Sequence, residues 1–378
     1  MTAQEPASRS ESTATLGRPS APGTPPTADF AALRRYADRI TGDLAAAMVS
    51  VACALGDRLG LFGALVRHGP CDSAELAAAT GVDERYLREW LLCLAGADYL
   101  EVDRETGRYA LPAPMAPLLT GGSPMDLSGG HALLLALAAA VDPVATAFTT
   151  GSGVAAQDYP KALYDAMERM SAGWLDAALV DQWIPAVAGL PERLRRGGTV
   201  VDLGSGGGHA LIRIATAFPA SRLVGLDLHP ANVDRATESA RRAGVADRVR
   251  FAAQDAADGL PADGVDLVTA FDVLHDTVDP LAVLTAARRA LAADGAVLVL
   301  ESRSAPVPLD NRGPVATILY ATSALYCLPA SRSARGDGAG TLGLPAGRIR
   351  ELAEAAGLHR LREIPVASPF NALYELRP

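Results

Sequence analysis

Residues 198–209 read Gly-Thr-Val-Val-Asp-Leu-Gly-Ser-Gly-Gly-Gly-His. A short apolar run carrying one acid, Val200 to Leu203, passes directly into Gly204, Ser205, Gly206, Gly207 and Gly208. A helical pattern then resumes at His209 with Leu211, Ile212, Ile214, Ala215 and Phe218. Strand, tight turn and helix start in this order predict a βαβ unit. Glycines suit the turn because the chain must take positive φ and approach a ligand without Cβ atoms in the way. The helix N-terminus offers unpaired N–H groups to the ligand's polar end. A second strand, Arg222 to Asp227, ends in an acid 19 residues after Gly208. An acid at that tip is placed to accept hydrogen bonds from a ribose diol. Two adenosine ligands fit: a nicotinamide or flavin dinucleotide, and S-adenosylmethionine (SAM).

The residues favour SAM. The dinucleotide pattern G-x-G-x-x-G requires glycine at 209, where His209 stands. The pattern present, Asp202-x-Gly204-x-Gly206-x-Gly208, resembles motif I of the class I SAM-dependent methyltransferases. That resemblance implies that Asp202 sits near the methionine end of the cofactor, with Gly204, Ser205, Gly206 and Gly208 cradling it. It implies that Asp227, with Leu228 beside it, holds the ribose hydroxyls. A Rossmann-like unit that binds another nucleotide, or nothing, is the competing reading.

The order of later elements fits the same unit. A helix is expected over Ala231 to Ala243 and a strand over Arg248 to Ala253, followed at once by Gln254 and Asp255. By the resemblance Asp255 takes the adenine amino group. The fourth strand, Val265 to Ala270, runs into Phe271-Asp272-Val273-Leu274-His275-Asp276, and the resemblance implies that Phe271 and Asp272 lie against the cofactor. A helix over Pro280 to Ala292 leads to a fifth strand, Ala296 to Glu301. After a helix over Ala346 to Ala356, two strand-like runs, His359 to Val366 and Asn371 to Leu376, close the chain. Strands alternating with helices predict a mostly parallel, Rossmann-like α/β sheet of seven strands, the last antiparallel.

Upstream, residues 1–28 are rich in Pro, Ser, Thr, Ala and Gly. They lack the apolar core of a signal peptide and read as a disordered tail. From Ala28 to Val66 apolar residues recur at helical spacing. Two short helices follow, the first capped by Asp72 or Ser73 and the second running from Asp83 through Leu94. Two strands, Leu100 to Asp103 and Arg108 to Leu111, flank the turn Glu105-Thr106-Gly107. Helices followed by a hairpin predict a winged helix over 29–125. That fold either reads DNA with its second helix or pairs two subunits. Residues 29–125 hold nine arginines, no lysine and thirteen acids. A DNA surface needs the opposite sign, so the pattern favours a homodimer through this domain. The whole chain, at net charge −9, argues against a nucleic-acid or membrane-surface partner. No stretch of 18 charge-free apolar residues stands out as a membrane span.

Residues 126–190 read as a helical linker. Its Tyr164, Met167, Met170, Trp174 and Trp183 either cover the core or line an apolar acceptor pocket. Residues 191–378 form the SAM-binding catalytic domain. The segment 305–344, with glycines from Gly336 to Gly343, reads as a lid or as a surface insertion.

With these domains in place, the resemblance extends to small-molecule methyltransferases of secondary metabolism, of the caffeate O-methyltransferase type. Val273-Leu274-His275-Asp276 matches the family's His-Asp pair, which implies His275 as catalytic base with Asp276 beside it and Glu301 flanking. A phenol with pKa about 10 must lose its proton to attack well, and an imidazole near 6.5 oriented by a carboxylate suits that task. Departures from the plant-type enzymes are Thr277 in place of Trp, and a loop in which only Asp337 could supply the family's second acid. Some relatives bind metal through a His-Asp pair plus a later histidine. Here the only later one is His359, in the tail, so no metal is expected. Cys53, Cys71, Cys93 and Cys327 form no C-x-x-C pair and read as reduced, cytoplasmic thiols.

The expected activity is methyl transfer from SAM, leaving S-adenosylhomocysteine, to a hydroxyl or acidic carbon of a small, partly apolar acceptor. A SAM-binding protein doing other chemistry and a ligand-sensing winged-helix DNA regulator remain alternatives.

Overall fold

The structure, a computed structural model, describes residues 29–378; the expected tail at 1–28 lies outside the described residues. The first helix spans Phe30–Arg58. The sequence pattern ran unbroken to Val66, but the helix stops at Gly60. That residue takes φ 67°, a left-handed conformation that a helix cannot continue through. A second helix, Leu61–His68, starts on the far side. By length and composition Phe30–Arg58 is apolar enough to cross a membrane, with a mean hydropathy of 1.4 over its best window, although no 18-residue stretch of it is free of charge. Its last turns are nevertheless core. Cys53, Ala54 and Gly56 are buried, a Cβ on Gly56 would collide with the Trp90 indole, and Trp90 Nε1 donates to the Ala52 carbonyl at 2.8 Å.

Two helices, Ser73–Thr80 and Glu84–Gly96, pack on that core. Of the two caps the sequence offers, Asp72 and Ser73, Asp72 caps the first, in a complete capping box with Glu75. The wing is β1, Glu101–Asp103, paired antiparallel with β2, Arg108–Ala110.

The large sheet has seven strands: β3 Thr199–Leu203, β4 Arg222–Asp227, β5 Val249–Ala253, β6 Val265–Phe271, β7 Leu291–Ser302, β8 Arg360–Ile364 and β9 Asn371–Arg377. Their order is β5-β4-β3-β6-β7-β9-β8. Only β9 runs against its neighbours. Alternation along each strand sends side chains to two cores. Val200, Leu298 and Leu300 meet Trp183, Ile184 and Leu211 on one face. Val201, Leu203, Val297 and Val299 meet Leu284, Ala287 and Ile349 on the other.

The linker contributes helices Ser128–Ala138, Val141–Thr150 and Lys161–Ala178. They share a core with Tyr326 and Cys327 from the 305–344 segment. Tyr159 donates its hydroxyl to the Leu325 carbonyl at 2.7 Å, joining the two. Two single π-helical turns interrupt this layer, Leu179–Trp183 and Ser323–Cys327. Such turns insert one residue into a helix and redirect the side chains they carry.

Candidate active site

Because β3, β4, β5, β6 and β7 are parallel neighbours, their carboxyl ends share one edge. On that edge stand Asp202, Asp227, Gln254, Phe271 and Glu301, each at or beside the last residue of its strand. This is where ligands of open α/β sheets collect. Backbone bonds stitch the edge together: Ser205 N to Leu226 O, Gln254 N to Asp227 O and Asp272 N to Leu300 O.

The glycine turn lies at the middle of this edge. Asp227, buried, takes the Gly206 N–H at 2.9 Å on one oxygen. Its other oxygen takes the His229 N–H at 2.9 Å and the Asn232 amide at 3.1 Å. Gly206 has φ 52° and open space where a Cβ would stand, whereas a Cβ on Gly208 would lie 2.6 Å from the Phe251 ring. Two features fit a bound polar ligand here: the open cradle at Gly206, and the Ser205 hydroxyl, buried with no partner. Asp202 is 3% exposed and accepts the Thr269 hydroxyl. Burial, opposed by that hydrogen bond and reinforced by the charge of Asp227, pushes its carboxyl up to about 7. Leu228 is exposed. Asp255 caps the following turn through Ala257 N, and Gln254 donates to the Gly259 carbonyl at 2.7 Å.

The other half is built on the loop after β6. A Cβ on Gly204 would collide with Val273, so this loop packs directly on the glycine turn. Asp272 takes φ 50°, an uncommon conformation for a side-chain-bearing residue, and accepts the Asn371 amide at 2.7 Å. Burial, then the Glu301 charge, push its carboxyl up to about 7. His275, 3% exposed, lies with Nδ1 2.6 Å from Glu301 Oε2, itself 1% exposed. Glu301 Oε1 also takes the His275 backbone N–H at 3.2 Å. Burial works to lower the imidazole pKa, but the carboxylates of Glu301 and Asp276 outweigh it and hold His275 well above its ordinary value. Asp276 Oδ1 stands 3.3 Å from Nε2 on the other side.

The structure therefore brings His275, Asp276 and Glu301 together, as the sequence reading had them. It adds Cys327, whose sulfur accepts the Thr341 hydroxyl at 3.0 Å and lies within 4.8 Å of both His275 and Asp276. Burial, then the Asp276 charge, push this thiol up to about 11. Asp337, the suggested second acid, is exposed. Tyr326 packs edge-on against Tyr159 and Tyr164, and Tyr164 also meets His229 after β4, so this aromatic group spans the cradle and the base. Trp183 stacks edge-to-face on Phe271 at 5.8 Å and leaves its buried Nε1 without a partner. Nothing in the sequence marked Cys327 or Thr341. The sulfur sits in a π-turn, which has no sequence signature.

Residues 194–335 match a family described as a methyltransferase domain, and residues 47–121 an Rv2258c-like winged HTH domain. The chain is 32% identical over 251 residues to the 8-amino-8-demethylriboflavin N,N-dimethyltransferase of Streptomyces davaonensis, covering 63% of this chain and 71% of that one. Among solved structures, it resembles the mitomycin 7-O-methyltransferase MmcR, with TM-score 0.63 and 22% identity over 92% of this chain and 99% of that one. It also resembles CalO1, a methyltransferase of calicheamicin biosynthesis in its SAH-bound form, with TM-score 0.60 and 23% identity over 92% and 98%.

Proposed function

The chain belongs to the S-adenosylmethionine-dependent methyltransferases, and on that footing we propose that it methylates a hydroxyl of a small, partly apolar, natural-product-like acceptor with His275 as general base. The observation that carries the reading is the buried His275–Glu301 contact at 2.6 Å. It commits Nδ1–H to a carboxylate and turns Nε2, which faces Asp276 at 3.3 Å, towards the acceptor side as the atom that would exchange the proton.

SAM, when bound, supplies a methyl group on a sulfonium centre. In this reading Asp227 orients the ribose while holding the glycine turn closed. Ser205 and the N–H groups at the start of the helix His209–Ala217 meet the polar methionine end. Asp255 and Gln254 border the adenine, and Asp202 with Asp272 stand beneath the cofactor between cradle and base. Trp183, Phe271, Tyr164 and Tyr326 exclude water around the acceptor, and His275 takes its proton as the oxygen attacks. Holding the two reactants in line supplies much of the acceleration.

A second reading has support from the Streptomyces davaonensis relative, whose name describes methylation of an amino group. An amine sheds its proton as the new bond forms, and the same Nε2 would receive it.

We further propose a homodimer. Phe30, Leu33, Ile40, Leu44 and Met48 form one face of the first helix and are 59 to 76% exposed. Apolar side chains at that spacing and exposure call for a covering partner, and a second copy supplies one. The alternative of DNA reading has less support. On the helix Glu84–Gly96, Arg85 and Arg88 are paired with Glu89 and Glu84 rather than free for phosphates.

The test is calorimetric titration with S-adenosylhomocysteine, followed by methyl transfer from labelled SAM to a panel of phenols, enols and aryl amines. Binding with transfer to a phenol or enol carries the reading. Transfer to amines alone moves it to the second form, and absence of SAH binding by folded protein overturns it.

A further inference from the structure

Three side chains that can ligate metal, the candidate base among them, converge at one point. They are His275, Asp276 and Cys327, with one donor atom of each lying within 4.8 Å of the other two. His275 and Cys327 are buried. Two come from the loop after β6 and one from the π-turn Ser323–Cys327, so the cluster exists only in the folded protein.

The three donor atoms face one shared point. With Nδ1–H committed to Glu301, Nε2 is the ring atom turned into the cluster, and once its proton is displaced it presents a lone pair there. Asp276 Oδ1 presents another 3.3 Å away, and it is buried without a hydrogen-bond partner. The single S–H of Cys327 can serve only one of these acceptors. A cation at their centre would satisfy all three.

The geometry also suits a particular ion. Tetrahedral bonds of about 2.0 to 2.3 Å separate their ligand atoms by about 3.3 to 3.8 Å, and the Nε2–Oδ1 separation of 3.3 Å falls in that range. Thiolate, imidazole and carboxylate together favour zinc or cobalt over magnesium or calcium. The outer contacts that orient such ligands are already present. Glu301 accepts from His275 Nδ1 at 2.6 Å, the carboxylate–histidine–metal arrangement. Thr341 donates to Cys327 Sγ at 3.0 Å. Asp276 keeps 25% of its side chain exposed, which gives a route of entry.

We propose that His275, Asp276 and Cys327 form a binding site for one zinc ion, and that zinc there silences the enzyme by taking the lone pair with which His275 would accept the acceptor's proton. The silencing rests on the base reading above; the site itself does not. Three protein ligands leave a fourth coordination position for water or the acceptor. Binding displaces the Cys327 thiol proton and the proton His275 holds at Nε2 to solvent, and forms one Zn–S, one Zn–N and one Zn–O bond, with no change of oxidation state.

The test uses the full chain, stripped with chelator and titrated with cobalt chloride under anaerobic conditions. The expected result is one cobalt per chain, with a thiolate-to-cobalt charge-transfer band and the intense visible bands of tetrahedral cobalt, all collapsed by zinc chloride. Cys327→Ser should remove the charge-transfer band, whereas Cys93→Ser, at an exposed thiol, should keep it. Glu301→Gln should weaken cobalt binding about 10- to 100-fold. A wild-type protein that shows no charge-transfer band at millimolar cobalt overturns the site, and so does a band that survives Cys327→Ser. If Cys327→Ser does not fold, Asp276→Asn decides, and unchanged cobalt affinity in that variant overturns the proposal. Loss of turnover in His275→Gln under chelator reports on the base alone, so either idea can fail without the other.

Discussion

The two halves of the cleft solve opposite problems. In the glycine cradle one carboxylate, Asp227, faces three neutral donors, Gly206 N–H, His229 N–H and the Asn232 amide. In the base pocket one imidazole faces two carboxylates and a thiol, and a third carboxylate, Asp272, lies nearby. The Asp227 carboxylate of the cradle is thus satisfied before any ligand arrives, and the unpartnered Ser205 hydroxyl is left for the ligand. The base pocket holds more negative charge and more lone pairs than its donors can satisfy. A rigid, neutral-donor site suits binding the same cofactor at every turnover. An unbalanced site suits moving a proton.

The sharpest way to test this division is His275→Gln, in which the amide can still reach Glu301. Turnover is expected to fall about 10²- to 10⁴-fold, the usual contribution of a general base, with S-adenosylhomocysteine affinity unchanged in calorimetry. Equal losses in both would break the division. Asp227→Ala comes next. It leaves three donors unpaired and removes the ribose acceptor, so S-adenosylhomocysteine affinity should fall roughly a hundredfold, about 2.7 kcal/mol. The His275–Glu301 contact should survive in that variant, read from the imidazole NMR resonances.

Smaller effects separate packing from binding within the cradle. Gly208→Ala puts a Cβ 2.6 Å from Phe251 and should destabilise the fold by about 1–3 kcal/mol in denaturant titration. Gly206→Ala meets open space. It should cost only about 1 kcal/mol for its left-handed φ, yet weaken cofactor binding more than Gly208→Ala does. The smallest effect is on pH dependence. The folded Asp202 carboxyl, pushed up to about 7 from an ordinary 3.8, holds a proton that the unfolded chain has released. Its stabilising contribution is therefore present below about pH 4 and is lost as pH rises towards 7 and beyond. Asp202→Asn should flatten that part of the Tm-against-pH curve, and an unchanged slope would remove Asp202 from the account.

The cradle was readable because its parts are local. Strand, turn and helix lie within 20 residues, and the acid at 227 follows at the spacing a βαβ unit imposes. His275 and Glu301 were readable for a related reason, since each stands at or just past the end of a parallel strand. Cys327 was not. Its approach to His275 depends on the path of the 305–344 segment and on a π-turn that sequence periodicity does not register. The helix Phe30–Arg58 was half legible. Its spacing declared a helix, but one chain cannot say whether an apolar face meets its own core or another molecule.

The π-turn at Ser323–Cys327 has a consequence for how this site can change over time. Each residue of an α-helix turns the chain by about 100°. Deleting one codon within the turn is expected to relax it to ordinary helix and rotate Tyr326 and Cys327 away from His275. A one-residue insertion or deletion can therefore rearrange this side of the cleft, a step that substitution-by-substitution comparison of relatives would miss.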